Sequence, residues 1–387
     1  MSKLLVLIFL VLQFHSVSHA TEFELKPLAT NPSTPDEVEE GLKLLYKNNV
    51  TPEVLAELKQ QSLQFQSKVY NTIQRQIELN KNISVSTTEK FLAGNFVKET
   101  VVRFASLIRR NEPHASDDVV AKIYEPATQR RFCEYQYPTS IILHHILNEV
   151  GVVEDIAKVM ASGVLGQPAI VVVLHMPHYG LRRQGTEEFL TTDTNQFKQN
   201  ILQLILDVHA LKNYLDTRKN IDAKKISLAG VSLGSVLGFT VGAFDQSFSG
   251  FGSLMGGADM AQILINRATT NPKSEVGVIL QKVNPTEENL RKALAPVDGL
   301  TWAHRFKNKK FMFLIAGQDE VIDYANSVKP LLELFKQNQN SIIQSINGDG
   351  HVPSGSALKK IKELFLPLLR FTIDEAPPID RVCETNN

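Results

Sequence analysis

Three side chains in this sequence have the types and the order that nucleophilic catalysis needs. Ser232 sits in Gly230-Val231-Ser232-Leu233-Gly234, Asp319 in Gly317-Gln318-Asp319-Glu320, and His351 in Gly350-His351-Val352. A serine hydroxyl attacks well only when a base takes its proton, and an imidazole base works best when a carboxylate holds its ring. Each residue also has a plain structural role open to it. Ser232 could be an ordinary N-cap, Asp319 could cap the helix after it, and His351 could be a surface loop histidine. Glu320, Asp323 and Asp349 are rival carboxylates. What favours chemistry is the joint pattern of serine, then acid, then histidine, each placed directly after an apolar run.

Those runs are the elements that must position the three. Ile226 to Val231 is long enough for one buried strand, and small and apolar residues at helical spacing follow Ser232. Glycines on both sides of the serine remove Cβ atoms where strand and helix crowd, so the serine can stand at the tip of a sharp turn. Phe311–Ile315 precedes Asp319, and Ile342–Ile346 precedes His351. An oxyanion needs two backbone N–H donors. Leu233, just after the nucleophile, is the first candidate. The loop after the strand Ser140–His144 should give the second, from His145 or Ile146. His144 and Tyr179 are candidate substrate contacts. Arg182 and Arg183 could meet an anionic group, but adjacent arginines are more often solvated or salt-bridged. No metal-ligand spacing is present, and no cofactor is expected.

Around these runs the chain alternates. Strands are expected at Thr100–Ile108 and Asp118–Tyr124, then helix Val153–Ala161, strand Ala169–Leu174, helix Gln196–Leu215, the Ser232 strand and helix, and a strand near Gly250–Met255. A mostly helical insert spans 260–294. Repeated strand–helix units behind antiparallel-looking strands predict a mixed sheet with helices on both faces. Residues 21–95 read as a helical extension, with start signals at Thr34-Pro35-Asp36-Glu37 and Thr51-Pro52. Met1-Ser2-Lys3, the apolar run Leu4–Leu12 and Ser18-His19-Ala20 describe a secretory leader cleaved near Ala20. Export to the periplasm or the extracellular space is therefore expected, without stable membrane insertion. Cys133 and Cys383 could then pair, or stay two isolated thiols. Lysine plus arginine and aspartate plus glutamate are equal at 41 each, which argues against nucleic acid as a partner.

The stretch Asn220–Gly234, with Gly317-Gln318-Asp319 and Gly350-His351, resembles the α/β-hydrolase superfamily over roughly residues 99–371. Pro177–Arg182 and Met255–Asp259 resemble its esterase and dienelactone-hydrolase-like branch. The resemblance implies a mostly parallel eight-stranded sheet with helices on both faces, a serine nucleophile, and an insert acting as a helical cap. The domains expected are a leader (1–20), the helical extension (21–95), a hydrolase domain (96–375) and a tail (376–387). The activity implied is hydrolysis of a small-molecule or glycan ester, or a thioester, through an acyl-enzyme. A peptidase, an acyltransferase or a non-catalytic binding protein on the same fold are the alternatives. Many members have His-Gly where this chain has His144-His145-Ile146.

Overall fold

The computed structural model describes residues 17–29, 31–79, 82–92, 96–110, 112–127, 134–145, 150–185, 189–306, 309–335, 341–346, 350–351, 366–373 and 381–382. Four strands, β1 (Val17–Glu24), β2 (Asn82–Phe91), β3 (Val97–Ala105) and β4 (Asp118–Pro126), pair antiparallel in sequence order. A short pair, β5 (Glu134–Tyr135) and β12 (Arg381–Val382), lies apart from the main sheet. The remaining strands are β6 (Tyr137–Leu143), β7 (Ile170–His175), β8 (Ile221–Val231), β9 (Gly250–Leu254), β10 (Lys310–Ala316) and β11 (Ser341–Ile346). They run parallel to one another, and β7 meets β4 antiparallel. The sheet order is β1-β2-β3-β4-β7-β6-β8-β9-β10-β11.

The sheet thus has ten strands, not the eight that the resemblance implied, and it is mixed. The two extra strands come from the N-terminal region: β1 spans the end of the expected leader and the start of the segment expected to be helical, and β2 lies within that segment. In β2, Val85 and Thr87 face inward and their neighbours face solvent, the period-two alternation of a half-buried strand. Strand β1 also runs through Ala20, so cleavage there would leave Thr21–Glu24 on the sheet edge.

The helical part of the extension forms as its start signals predict. In α1 (Pro35–Leu45), Thr34 accepts the Glu37 N–H while the Glu37 carboxylate accepts the Thr34 N–H, and Pro35 opens the helix. The second helix, α2 (Pro52–Glu78), is capped by Thr51. The pair is fastened to the main domain by backbone contact. A Cβ on Gly41 would lie 2.1 Å from the Thr301 carbonyl oxygen, so only glycine lets α1 approach so closely. Arg305 clamps the preceding strap, donating to Ser33 Oγ and Asn31 O at 2.6 Å and to Ala243 O at 2.9 Å.

Helices cover both faces of the sheet. α3 (Val150–Ala161) and α10 (Leu366–Ile373) pack on one, against Val171, Val173 and Leu314. α4 (Thr194–Asp216) and α5 (Leu233–Phe244) pack on the other, against Ile141, Val172 and Leu228. Both are buried almost all round, because the extension lies over them; Phe65 of α2 meets Phe244 edge-on at 5.7 Å. The insert folds as α6 (Met260–Thr270), α7 (Glu275–Val283) and α8 (Glu287–Leu294), and α9 (Lys329–Phe335) follows β10. Phe239 of α5 packs with Phe251, Phe306, Phe311, Phe313 and Phe335 beneath the helix, with neighbouring ring centroids 4.5–6.2 Å apart where they touch. Large apolar area and aromatic geometry together lock the serine's helix onto its sheet.

Candidate active site

β8 ends at Val231, and α5 begins at Leu233. The single residue between them, Ser232, has φ 50° and ψ −117°, a conformation that costs a non-glycine residue about 1–3 kcal/mol. The surroundings over-determine it. The Ser232 N–H donates to Leu254 O at 2.9 Å, tying the turn to β9. A Cβ on Gly230 would lie 2.3 Å from Gly234 O, and one on Gly234 would lie 2.2 Å from Leu143 O. Gly256 leaves room for Ser235, whose Oγ would lie 1.9 Å from an added Cβ. The Ser235 hydroxyl donates in turn to Ser253 Oγ at 2.7 Å. These glycines are required by contact, and the contact forces Ser232 outward.

The structure brings the three predicted residues together. Ser232 Oγ lies 2.7 Å from His351 Nε2. The other ring nitrogen, Nδ1, donates to Asp319 Oδ2 at 2.8 Å, with Oδ1 at 3.0 Å. A proton on Nδ1 leaves Nε2 as the acceptor for the serine hydroxyl, which is the tautomer a general base requires. Asp319 Oδ1 also accepts the N–H groups of Val321 (2.9 Å) and Ile322 (2.7 Å). Its local turn role and its hold on His351 therefore coexist, because a carboxylate has lone pairs for both. The Asp319 side chain is 4% exposed and that of His351 10%, while Ser232 is half-buried and open to a ligand. Of the rival carboxylates, Asp323 caps the turn at Asn326, and Asp349 lies outside the described residues.

Leu233 opens α5, so its N–H belongs to the first turn, where helix donors have no partner within the helix. His145 is the second residue after β6 and is half-buried; Ile146 is outside the described residues. His144 departs from its expected role as a substrate contact. It is fully buried, its Nδ1 donates to His145 O at 2.7 Å, and its Nε2 accepts the Met176 N–H at 3.2 Å. Both nitrogens are spent on backbone, so the ring is a strut between the loops after β6 and β7. Burial pushes its pKa down to about 3, which keeps it neutral. Tyr179 packs on this strut edge-on at 5.2 Å and is itself 3% exposed.

Arg182 takes the salt-bridged of its two expected roles, and takes it in the interior. It is wholly buried and donates to Asp207 Oδ2 at 2.7 Å and to His175 O at 3.2 Å. Ser116 O is a third acceptor. Arg183 remains exposed. The available signal was Asp207 itself, a lone acid in the apolar stretch Ile201–Leu211 that would need a buried cation. Next to this pair, Gly180 (φ 54°) keeps a Cβ from lying 2.2 Å from His175 Nδ1, which accepts the Leu181 N–H. The loop after β7 is thus pinned from inside, to His144 of the β6 loop and to Asp207 of α4.

Among the described residues no group of three or more His, Cys, Asp or Glu side chains is placed to hold a metal. None of their helices is long and apolar enough to cross a membrane.

No protein-family model matches the chain, and no curated protein matches it in sequence. Solved structures do match in shape. Acetyl xylan esterase 1 from Thermoanaerobacterium sp. JW/SL YS485 aligns with a TM-score of 0.52 at 14% identity, over 88% of this chain and 95% of that one. The acetyl xylan esterase from Paenibacillus sp. R4 aligns with a TM-score of 0.53 at 12% identity, over 90% and 96%. At that identity the likeness speaks to the path of the backbone.

Proposed function

We propose that this chain, whose fold is that of the α/β-hydrolase superfamily, is an exported serine hydrolase that cleaves a carboxylic ester through an acyl-enzyme. One observation carries the reading: Ser232 Oγ, His351 and Asp319 form a continuous hydrogen-bonded line of 2.7 and 2.8 Å. In the proposed cycle the Ser232 oxygen attacks the ester carbonyl carbon while His351 Nε2 takes its proton. Asp319 holds the ring and stabilises the imidazolium. The developing oxyanion is received by the Leu233 N–H and by a donor of the His145–Ile146 loop. Collapse breaks the ester C–O bond, and the imidazolium gives its proton to the departing alcohol. Water, activated by the same imidazole, then attacks the acyl-enzyme and releases the acid and Ser232.

Two solved structures of like fold carry the name acetyl xylan esterase, so an acylated glycan is the first substrate class to try. In this reading residues 96–375 are the catalytic domain, 260–294 its cap and 21–95 an accessory segment. The leader directs export. Labelling with a fluorophosphonate probe tests the assignment. Wild type should label and Ser232→Ala should not; an unlabelled wild type, or an equally labelled variant, would sink it.

A further inference from the structure

His351 is gripped twice. Asp319 holds its ring, and the next residue, Glu320, holds its main chain: Glu320 Oε2 accepts the His351 N–H at 3.1 Å. Gly350 borders the same seat. A Cβ there would lie 2.8 Å from Glu320 Oε2, closer than Cβ contacts allow. That oxygen is the movable end of a flexible side chain, so an alanine at 350 would displace the carboxylate from the His351 N–H.

We propose that Glu320 is a positioning residue for His351. This rests on the hydrolase reading above. A bond to Nδ1 alone fixes one point of the imidazole and lets the ring pivot with its backbone. A second bond, to the His351 N–H, fixes the start of the side chain as well. With both in place, Nε2 is kept within reach of Ser232 Oγ, where a displacement of an ångström is expensive. A carboxylate suits this task because charged acceptors make the stronger bonds to N–H groups. The sequence thus uses two neighbouring acids for two parts of one residue.

The test uses the whole chain and two readouts, the rate of Ser232 labelling by a fluorophosphonate and the hydrolysis of p-nitrophenyl acetate. Glu320→Ala should slow labelling and lower kcat about tenfold with KM within about twofold, because the base is displaced while the carbonyl site is intact. Glu320→Gln retains an acceptor oxygen of the same reach and should stay within about threefold of wild type. Glu320 is exposed, so the thermal midpoint of either variant should match wild type. Gly350→Ala should imitate Glu320→Ala by pushing the carboxylate off its seat. In the double variant the added methyl meets no carboxylate, so the two effects should not multiply. A wild type that labels while Glu320→Ala keeps its full rate overturns the proposal, as do effects that multiply in the double variant. A wild type that does not label removes the hydrolase reading and this proposal together.

Discussion

His144 separates a substrate contact from an internal strut by its response to pH. In the folded chain burial pushes its pKa down to about 3 from an ordinary 6.5, so the ring stays neutral while the unfolded chain takes up a proton. Between those values the unfolded state binds more protons, so stability falls as pH falls through 6.5. From pH 7 to pH 5 this one group should cost about 2 kcal/mol. Asp298, buried and near Asp259, is pushed up to about 6 and acts with the opposite sign over the same range. Its effect cancels when wild type is compared with His144→Asn. That variant loses the strut and should be about 1–3 kcal/mol less stable at pH 7, because the buried Met176 N–H and the part-buried His145 carbonyl lose a partner. The two stabilities should then converge by about 2 kcal/mol on going to pH 5, since the variant has no imidazole to charge. Urea unfolding followed by the fluorescence of Trp302, the single and fully buried tryptophan, gives both curves. Parallel curves would mean that His144 titrates alike in both states, and the strut would be refuted.

Gly234→Ala should cost about 1–3 kcal/mol of overpacking strain, because the new methyl would press on the Leu143 carbonyl, and should slow Ser232 labelling at least tenfold; labelling at the wild-type rate would contradict the contact argument. Cys133 and Cys383 lie outside the described residues, and the export proposed above would carry both into a compartment where disulfides form and persist. Chain recovered from outside the cytoplasm should therefore carry no thiol reactive toward Ellman's reagent, and its intact mass should correspond to a start at Thr21 with two hydrogens lost. Two free thiols, or a mass that retains the leader, would count against pairing and export respectively.

The sequence exposed the parts whose chemistry is written in residue type and local spacing. Ser232, Asp319 and His351 could be found because each follows an apolar strand and because glycines mark the turn. The capping box at Thr34 was legible for the same reason, since partner and cap are three residues apart. The two outer strands were hidden by polar composition: β2 reads Asn-Ile-Ser-Val-Ser-Thr-Thr, and only its pairing with β3 shows which residues face inward.

Roles set by long-range contact were hardest to read. His144 and Arg182 lie in the loops after neighbouring strands, and residue type alone suggests a ligand contact for the first and a solvated or salt-bridged role for the second. His144 is turned instead toward a carbonyl and an N–H of the loops after β6 and β7, and Arg182 toward the Asp207 carboxylate of α4 and the His175 carbonyl, partners brought close by the pairing of β4, β6 and β7. Side-chain chemistry says what a group can bond; strand register decides what is there to be bonded. The same distinction explains the acid loop. Asp319 and Glu320 are adjacent carboxylates and were rivals for one role. In the fold their side chains diverge by one residue's worth of backbone, so Asp319 reaches the His351 ring and Glu320 the His351 N–H. Two acids that look redundant in the chain become complementary once β10 and β11 lie parallel, because that pairing brings the loop after each strand against the other.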